Sequence, residues 1–499
     1  MKGLCILLTL CLLLTLTGCR TEPENSDPVS RPDTPVTDTA DTLQSLALAY
    51  SHDDTLNPYA ATTEANLNLA GLLYDSLAVS DETFVPQLSL ASAVDAPDAI
   101  HLLATLREGA KFSDGSAVTG ADVVASFKQA KASVNYAALL ENVTAATVNE
   151  KARQITFTLA TPDVNALGSL TFPVVKAATL TDEAGKAPVG GGAYVYQATD
   201  TGAQLVANPH AGVRPHYTVV GLRHLPSSSA MYYALSSGDI SFYFDDLDSG
   251  ELPQVTGANT TVEMNALLFM GVNGSREKLK EVDVRRALSA LLDRPAIVNT
   301  VYSGRGIASQ QPFHPHWLPM SQLELPAVIR DLDSAIQLLE RAGCKAGAGG
   351  QRLALELIYC TDKADRGVAV ELIRAQLEGG GVTVTPVPLE KEAYLERLKK
   401  GEYDLYIGEI RLTADMSLRP LLTAGGKAAY GVDPLGAVAG NYTRYRLGEV
   451  TLESFLQTFT ADMPYIPLCW RNGFASYDRR LTTVTPAGYD PYYGLAGWQ

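Results

Sequence analysis

Side chains on which most catalytic and metal sites depend are scarce in this sequence. Its 499 residues include 7 histidines and 6 cysteines. None of them lies at a CxxC or HxxxH spacing, which zinc and related metals favour. The GxSxG and HExxH patterns and the nucleotide-binding P-loop are also absent. We therefore predict no catalytic residue, no cofactor and no metal ligand, and we do not expect an enzyme.

Basic residues are in the minority, since 39 Lys and Arg face 55 Asp and Glu and the formal net charge is −16. Nucleic-acid binding needs clustered basic side chains, so no nucleic-acid partner is predicted. Beyond the N-terminal segment, no apolar run approaches the roughly 20 residues of a membrane-spanning helix. The hydrophobic fraction of 46% is ample for two or three cores.

The one long apolar run, residues 3–16, follows Lys2 and is too short to span a bilayer as a helix. It is typical of a signal peptide, which we assign to residues 1–18. The run ends in Leu16-Thr17-Gly18-Cys19, which resembles a bacterial lipobox. This resemblance implies that Cys19 receives a diacylglyceryl thioether and becomes the mature N-terminus.

Residues 19–44 are rich in Pro, Thr and acidic residues and nearly devoid of apolar ones. Such a segment cannot bury enough surface to offset the entropy of ordering it. We expect a disordered tether that holds an extracytoplasmic protein at the outer face of the cell membrane, or in the periplasm if an outer membrane is present. The remaining cysteines, Cys344, Cys360 and Cys469, allow at most one disulfide and are interpreted as buried thiols.

The most patterned stretch is LREGAKFSDGSAVTGADVVASF, residues 106–127. The alternation that leads into it predicts a strand near residues 102–106, and Asp114-Gly115 predicts a turn. Thr119 and Asp122 have capping-box spacing at the start of a helix that presents Val123 and Phe127 to a core. Further along the chain, helical stripes alternate with strand-like runs, which predicts a mixed α/β fold with crossover helices.

This stretch resembles the signature region of the extracellular solute-binding proteins of ABC importers for oligopeptides, dipeptides and nickel (solute-binding protein family 5). In that family the signature braces the N-terminal lobe and does not hold the ligand. The similarity continues in chain order through Asn57-Pro58, LLYDSLAVSD (72–81), VGGGAY (189–194), VANPHAGVRPHY (206–217), LSSGDI (235–240), VRRALSALLDRPAIV (284–298), AIQLLERAG (335–343), GEYDLYI (401–407) and DMPYIPL (462–468).

The resemblance implies an α/β, two-lobed clamp of the periplasmic-binding-protein type. One lobe would comprise residues 45–265 with a subdomain inserted at about 75–185, and residues 475–499 would return to it. The second lobe would span residues 266–474. Strands near 267–274 and 464–477 would form the hinge.

It also implies a ligand, a short peptide that lies extended between the lobes and pairs through its backbone. By position in the family pattern, Asp415 would bind the peptide's amino end. Leu412, where many members have Trp, and Arg419-Pro420 depart from that pattern and put the ligand's size in question. Further ligand contacts are expected from two segments, namely Arg411, Leu412, Thr413 and Ala414 beside Asp415, and Tyr59, Thr62 and Thr63 on the facing lip.

The expected partners are a short peptide or other small solute, the transmembrane subunits of an ABC permease, and the membrane through the lipid anchor, with the protein itself a monomer. One alternative is a binder of nickel, a metal chelate or another solute on the same fold. A second is a receptor for a peptide pheromone. The acidic run Asp245 to Asp248 is interpreted as a solvated loop, because its spacing does not fit an EF-hand.

Overall fold

The computed structural model describes residues 43, 45–249 and 257–499. The predicted signal peptide, the lipidation site Cys19 and nearly all of the tether lie outside these residues. The strands are β1 (Leu46–Tyr50), β2 (Ala78–Ser80), β3 (Pro86–Leu88), β4 (Ala91–Asp98), β5 (His101–Leu106), β6 (Val143–Asn149), β7 (Gln154–Leu159), β8 (Tyr194–Thr199), β9 (Gly202–Ala207), β10 (Val219–His224), β11 (Phe242–Asp245), β12 (Ala258–Val272), β13 (Gly306–Ala308), β14 (Leu353–Cys360), β15 (Val382–Leu389), β16 (Leu405–Arg411) and β17 (Tyr465–Tyr477).

Between the strands lie α-helices of 4 to 15 residues. They are α1 (Glu64–Asn68), α2 (Ala70–Leu73), α3 (Gly120–Ala132), α4 (Ser228–Ser237), α5 (Val282–Ala290), α6 (Arg294–Tyr302), α7 (Leu318–Ser321), α8 (Leu332–Arg341), α9 (Ala364–Glu378), α10 (Lys391–Lys400), α11 (Arg419–Leu422), α12 (Ala437–Arg446) and α13 (Leu452–Asp462). Within the described residues, no helix combines the length and apolar character needed to cross a bilayer.

The largest sheet has the strand order β11-β17-β12-β16-β14-β15, with β13 also paired to β17. Strands β14, β15 and β16 are parallel and are connected through α9 and α10. The predicted alternation of helices and strands is therefore confirmed, because parallel neighbours need a crossover connection. A second sheet, β1-β10-β9-β8, begins with the parallel pair β1 and β10.

Two large hydrophobic clusters fill the molecule. The N-terminal core draws its buried side chains from residues 43–266 and again from 475–498. The central core draws them from residues 267–470, joined by Phe84. The predicted lobe boundaries at 265 and 475 concern which parts move as rigid bodies, and they stay a prediction. The two clusters, which change over near these positions, support it.

Strands β12 and β17 are the connection between these cores. Along β12, Val262, Met264 and Ala266 belong to the N-terminal core, and the residues from Leu267 onward belong to the central core. The pairing of the two strands shifts register between Val262 and Ala266, where the cores meet. Three residues of β12 (263–265) lie opposite one residue of β17, Asn472, so the ladder is interrupted at the boundary in the manner of a β-bulge.

The patterned stretch forms the predicted strand, turn and capped helix. β5 ends at Leu106, and α3 begins behind a capping box in which the Asp122 N–H donates to Thr119 Oγ1 at 3.3 Å and the Thr119 N–H donates to the Asp122 carboxylate at 3.2 Å. β5 lies in a separate antiparallel sheet, β4-β5-β7-β6, against which α3 packs. Val123 and Phe127 are buried in the N-terminal core.

The three cysteines of the described chain are unpaired thiols. Cys344 and Cys469 are buried and Cys360 is half-buried. Burial raises the pKa of Cys469 to about 12. That thiol is therefore neutral and has the character of an apolar core side chain.

Replacing the capping side chain should destabilise the protein measurably. Thr119→Ala removes the acceptor of the Asp122 N–H, and loss of an N-cap costs about 1 kcal/mol. The measurement is the free energy of unfolding in urea. Thr201→Ala, in the exposed turn between β8 and β9, is the matched control and should leave stability nearly unchanged. Equal stability of the two variants would contradict a role for the box.

Candidate functional site

A cavity of about 980 Å³ opens between residues of the N-terminal core and those of the central core. Its size lies at the upper end of the roughly 300–1,000 Å³ typical of small-molecule sites. One wall comes from α1, α2 and the segments that follow them, and the opposite wall comes from the end of β16 and residues 411–414. The chain segment 488–491 lines it as well.

Five of the eight ligand contacts predicted from the sequence line this cavity: Thr62, Arg411, Leu412, Thr413 and Ala414. The backbone of Leu412 is already occupied, because its N–H donates to Asn265 O at 2.8 Å and its carbonyl accepts from the Tyr489 hydroxyl at 3.0 Å. Leu412 therefore lines the cavity with its backbone N–H and carbonyl both hydrogen-bonded within the protein.

The other lip residues lie behind the cavity surface. Tyr59 is buried, and its hydroxyl donates to Pro173 O. Thr63 is bound to Asp54 through both its N–H, at 2.7 Å, and its hydroxyl. The same carboxylate accepts from the Thr62 N–H at 2.9 Å, so Asp54 fixes the lip on which Thr62 is presented.

Asp415 is buried, one residue beyond the cavity wall. Its carboxylate accepts from Arg446 Nη2 at 3.0 Å and from the Thr413 hydroxyl. Arg446 also binds the Asp163 carboxylate and donates through Nη1 to the carbonyls of Asp415 and Met416, at 2.8 and 3.0 Å. Two carboxylates thus share one guanidinium, and the cluster retains a negative charge when both are ionised. Burial raises the pKa of Asp415, and the neighbouring guanidinium opposes this rise.

The Arg446 cluster, which adjoins the cavity-lining residues Thr413 and Ala414, links the two parts of the chain. The Val164 N–H donates to Arg446 O at 2.9 Å, and Arg419 donates to the Thr161 hydroxyl at 2.7 Å. Gly168, in the 3₁₀ turn Ala166–Leu170, lies so close to this wall that a Cβ would stand 2.5 Å from Asp415 N. Glycine is therefore required at this contact for steric reasons.

Of the charged side chains that line the cavity, only Arg411 was predicted from the sequence as a ligand contact. Five carboxylates and two guanidinium groups line it: Glu64, Asp75, Asp246, Asp248 and Asp490, with Arg107 and Arg411. The wall is therefore net negative when all of them are ionised. The acidic run interpreted as a solvated loop contributes Asp246 and Asp248. Arg107 reaches the cavity from the signature stretch, which the family resemblance had assigned to bracing alone.

These carboxylates differ in whether a cation neutralises them. Asp75 lies 3.6 Å from Arg107, and Asp248 forms an ion pair with Lys363. Within the described residues, Glu64, Asp246 and Asp490 form no ion pair with a Lys, Arg or His at up to 4.0 Å. Burial raises the pKa of Asp490 to about 6 and that of Glu64 to about 7, the latter helped by Asp246. No spacing in the sequence signals these three side chains, because they come from distant segments.

Histidine and cysteine are absent from the cavity lining within the described part of the chain. These are the side chains that nickel and zinc prefer. Tyrosine is present instead, with Tyr74, Tyr136 and Tyr489 on the wall. The arrangement suits a solute that offers positive charge and hydrogen-bonding groups, and it does not suit direct coordination of a bare transition-metal ion.

Comparison with known proteins places the chain in a family. The model of the bacterial extracellular solute-binding proteins, family 5 (middle region), matches residues 83–427. The chain therefore belongs to this family, whose members are substrate-binding components of ABC importers and not enzymes. The predicted family and the predicted two-lobed α/β fold are confirmed.

Individual relatives are distant. The oligopeptide-binding protein AppA of Bacillus subtilis is 25% identical over 70% of this chain and 69% of its own length. The probable D,D-dipeptide-binding periplasmic protein DdpA of Escherichia coli is 24% identical over 61% of each chain. A solved nickel ABC transporter structure from Bacillus halodurans superposes with a TM-score of 0.72 at 20% identity, covering 89% of this chain and 98% of that one. This last similarity concerns the fold alone.

A side chain at Gly168 should disturb the contact behind the cavity-lining residue Ala414. Gly168→Ala places a methyl group against the backbone of Ala414 and Asp415, which cannot yield cheaply, and overpacking of this kind costs about 1–3 kcal/mol. Gly440→Ala is the matched control, since a Cβ at that helical position meets no atom within 4 Å and alanine favours the helix by up to about 1 kcal/mol. Urea unfolding should show G168A destabilised and G440A not. A G168A protein as stable as wild type would contradict the contact.

Proposed function

We propose that this protein is the extracytoplasmic receptor of an ABC importer, that it binds short peptides in the cavity between its two cores, and that it delivers them to a permease. The observation that carries the proposal is the cavity itself, which both cores line and in which three carboxylates, among the described residues, form no ion pair at up to 4.0 Å. The lining holds five carboxylates and two guanidinium groups, so a ligand with a positive group is the natural complement of its excess negative charge. The names of the relatives AppA and DdpA point to peptides.

The proposal includes the membrane anchor and the hinge. Lipidation at Cys19 would hold the receptor beside its permease, and residues 19–44 would give it reach. Bending of β12 and β17 at the bulge would open and close the cavity. The protein acts as a monomer without catalysis, because its task is to bind and release.

Native mass spectrometry of protein purified from bacterial cells tests the ligand class. Bound masses of a few hundred daltons that are released on denaturation and sequenced as peptides are the expected result. A single adduct of another composition, such as a metal chelate, would overturn the peptide assignment. If the isolated protein carries no ligand, titration with a tripeptide mixture tests the peptide assignment instead. Absence of saturable binding in that titration would also overturn the assignment.

Asp415 remains our proposed anchor for the peptide's amino end. It follows directly after the cavity-lining residues Thr413 and Ala414, and its cluster has one more carboxylate than guanidinium. An ammonium group that replaces the Thr413 hydroxyl as donor would meet this excess negative charge. Truncating one partner of a buried, charged contact costs about 2–5 kcal/mol.

Asp415→Asn should therefore weaken binding of trialanine by roughly thirtyfold or more. Asp163→Asn is the matched control, because it removes the other carboxylate on Arg446 and should affect stability more than affinity. Isothermal titration with free and N-acetylated trialanine is the measurement. Equal affinity for the two peptides, or equal losses in the two variants, would sink the Asp415 assignment while leaving peptide binding intact.

The unpaired carboxylates also predict a preference for peptides with a basic side chain. Hydrogen bonds to charged groups contribute about 1.5–3 kcal/mol, so Ala-Lys-Ala should bind roughly tenfold or more tightly than Ala-Glu-Ala. Asp490 is ionised above its pKa of about 6, and a cationic ligand favours the ionised form. The preference should therefore be greatest at neutral pH and decline as the pH falls through about 6.

Asp490→Asn should reduce the preference for Ala-Lys-Ala and flatten its pH dependence, as measured by titration calorimetry between pH 5 and about 8. Asp200→Asn, at an exposed turn remote from the cavity lining, is the control and should change neither. A preference that survives in D490N with its pH dependence intact would contradict the role of Asp490.

A further inference from the structure

Outside the cavity, the fold brings together two histidines that are 172 residues apart. β1 and β10 run parallel, and Tyr50 at the end of β1 is the register partner of His224 at the end of β10. The chain turns just beyond β1, so the His52 ring lies over the His224 ring, with 3.7 Å between the ring centroids and 71° between their planes. The adjacent Asp53 belongs to the same turn.

Both imidazoles face the Asp53 carboxylate, each toward a different oxygen. His52 Nε2 lies 3.0 Å from Oδ1, and His224 Nε2 lies 3.5 Å from Oδ2. The three donor atoms lie within 4.8 Å of one another. Metal–ligand bonds of about 2.0–2.2 Å bring the donors of one site to within about 4.4 Å, so small side-chain movements suffice to close them around one ion.

We infer that His52, Asp53 and His224 form a binding site for a divalent transition-metal ion, separate from the ligand cavity. Two imidazole nitrogens and one carboxylate oxygen suit Zn²⁺, Ni²⁺ and Cu²⁺ rather than Mg²⁺ or Ca²⁺. The Asp53 side chain is 70% exposed and that of His52 54%. Water can therefore complete the coordination, and an ion can enter without any opening of the fold.

Coordination changes the hydrogen bonding of one ring. The His52 N–H donates to His224 Nδ1 at 3.2 Å, which places the ring proton of neutral His224 on Nε2. A metal at Nε2 requires the other neutral tautomer, in which the ring proton lies on Nδ1, so Nδ1 can no longer accept the backbone N–H. This hydrogen bond is exposed, so water can replace it at little cost.

The site is also adjacent in the chain to a residue that holds the rim of the cavity in place. Asp54, which follows Asp53, is the carboxylate that holds the N–H groups of Thr62 and Thr63. A bound ion would fix the turn directly before it. The inference does not rest on the proposed function, because none of its three ligands lines the cavity.

The test is titration of the full chain, purified without a polyhistidine tag, with ZnCl₂ and NiSO₄ in a calorimeter. The wild-type protein should bind one equivalent, and His52→Ala and His224→Ala should each weaken this binding at least about tenfold, the loss of one of three ligands. His101→Ala is the matched control, because His101 is an imidazole paired with a single carboxylate, Asp98, at 2.8 Å, and it should bind as wild type does.

Three results would overturn the inference: no saturable binding by the wild-type protein, unchanged binding by H52A and H224A, or an equal loss in H101A. Thermal unfolding of H52A without metal should match wild type, since the His52 side chain is 54% exposed. A metal-induced rise in melting temperature should disappear in H52A. The same variant then shows whether any remaining nickel response belongs to the cavity.

Discussion

The antiparallel pairing of β12 and β17 is the interaction on which the rest of the structure depends. Both strands begin in one hydrophobic core and end in the other, and they lie side by side from Ala258 to Gly271 on β12. The cavity lies between the two separately packed cores that these strands connect. The register shift beside Ala266 places the least regular part of the ladder between the cores, where bending would change the cavity and disturb neither core.

The carboxylates in and around the cavity fall into two groups. Those that hold the structure together are paired with guanidinium groups. Burial alone would raise the pKa of Glu409, but Arg471 and Arg366 lower it below its ordinary value, and Arg446 binds both Asp163 and Asp415. Glu64, Asp246 and Asp490 form no ion pair of this kind in the described chain, although Arg411 favours the ionised forms of Glu64 and Asp246. The cavity wall therefore keeps an excess of negative charge that a cationic group of a ligand can compensate.

The proposed metal site at the ends of β1 and β10 and the peptide cavity are separate sites of one fold. They share only the loop that follows β1, in which Asp53 faces the histidines and Asp54 faces the rim. A bare transition-metal ion bound at His52, Asp53 and His224 would leave the class of the main ligand unchanged, because none of these three residues lines the cavity.

Local order was determined by the sequence alone. Patterns among residues close together in the chain predict the turn, the cap and the helix of the signature stretch. They also predict the alternation of strands with α9 and α10, and they form the family motifs. Such patterns depend on backbone geometry and apolar periodicity. The tertiary structure alone decided which distant side chains meet. Thr119 and Asp122 could be paired from their spacing, whereas Asp415 with Arg446, Asp490 beside Gly71, and His52 with His224 depend on strand order and register, which no local pattern encodes.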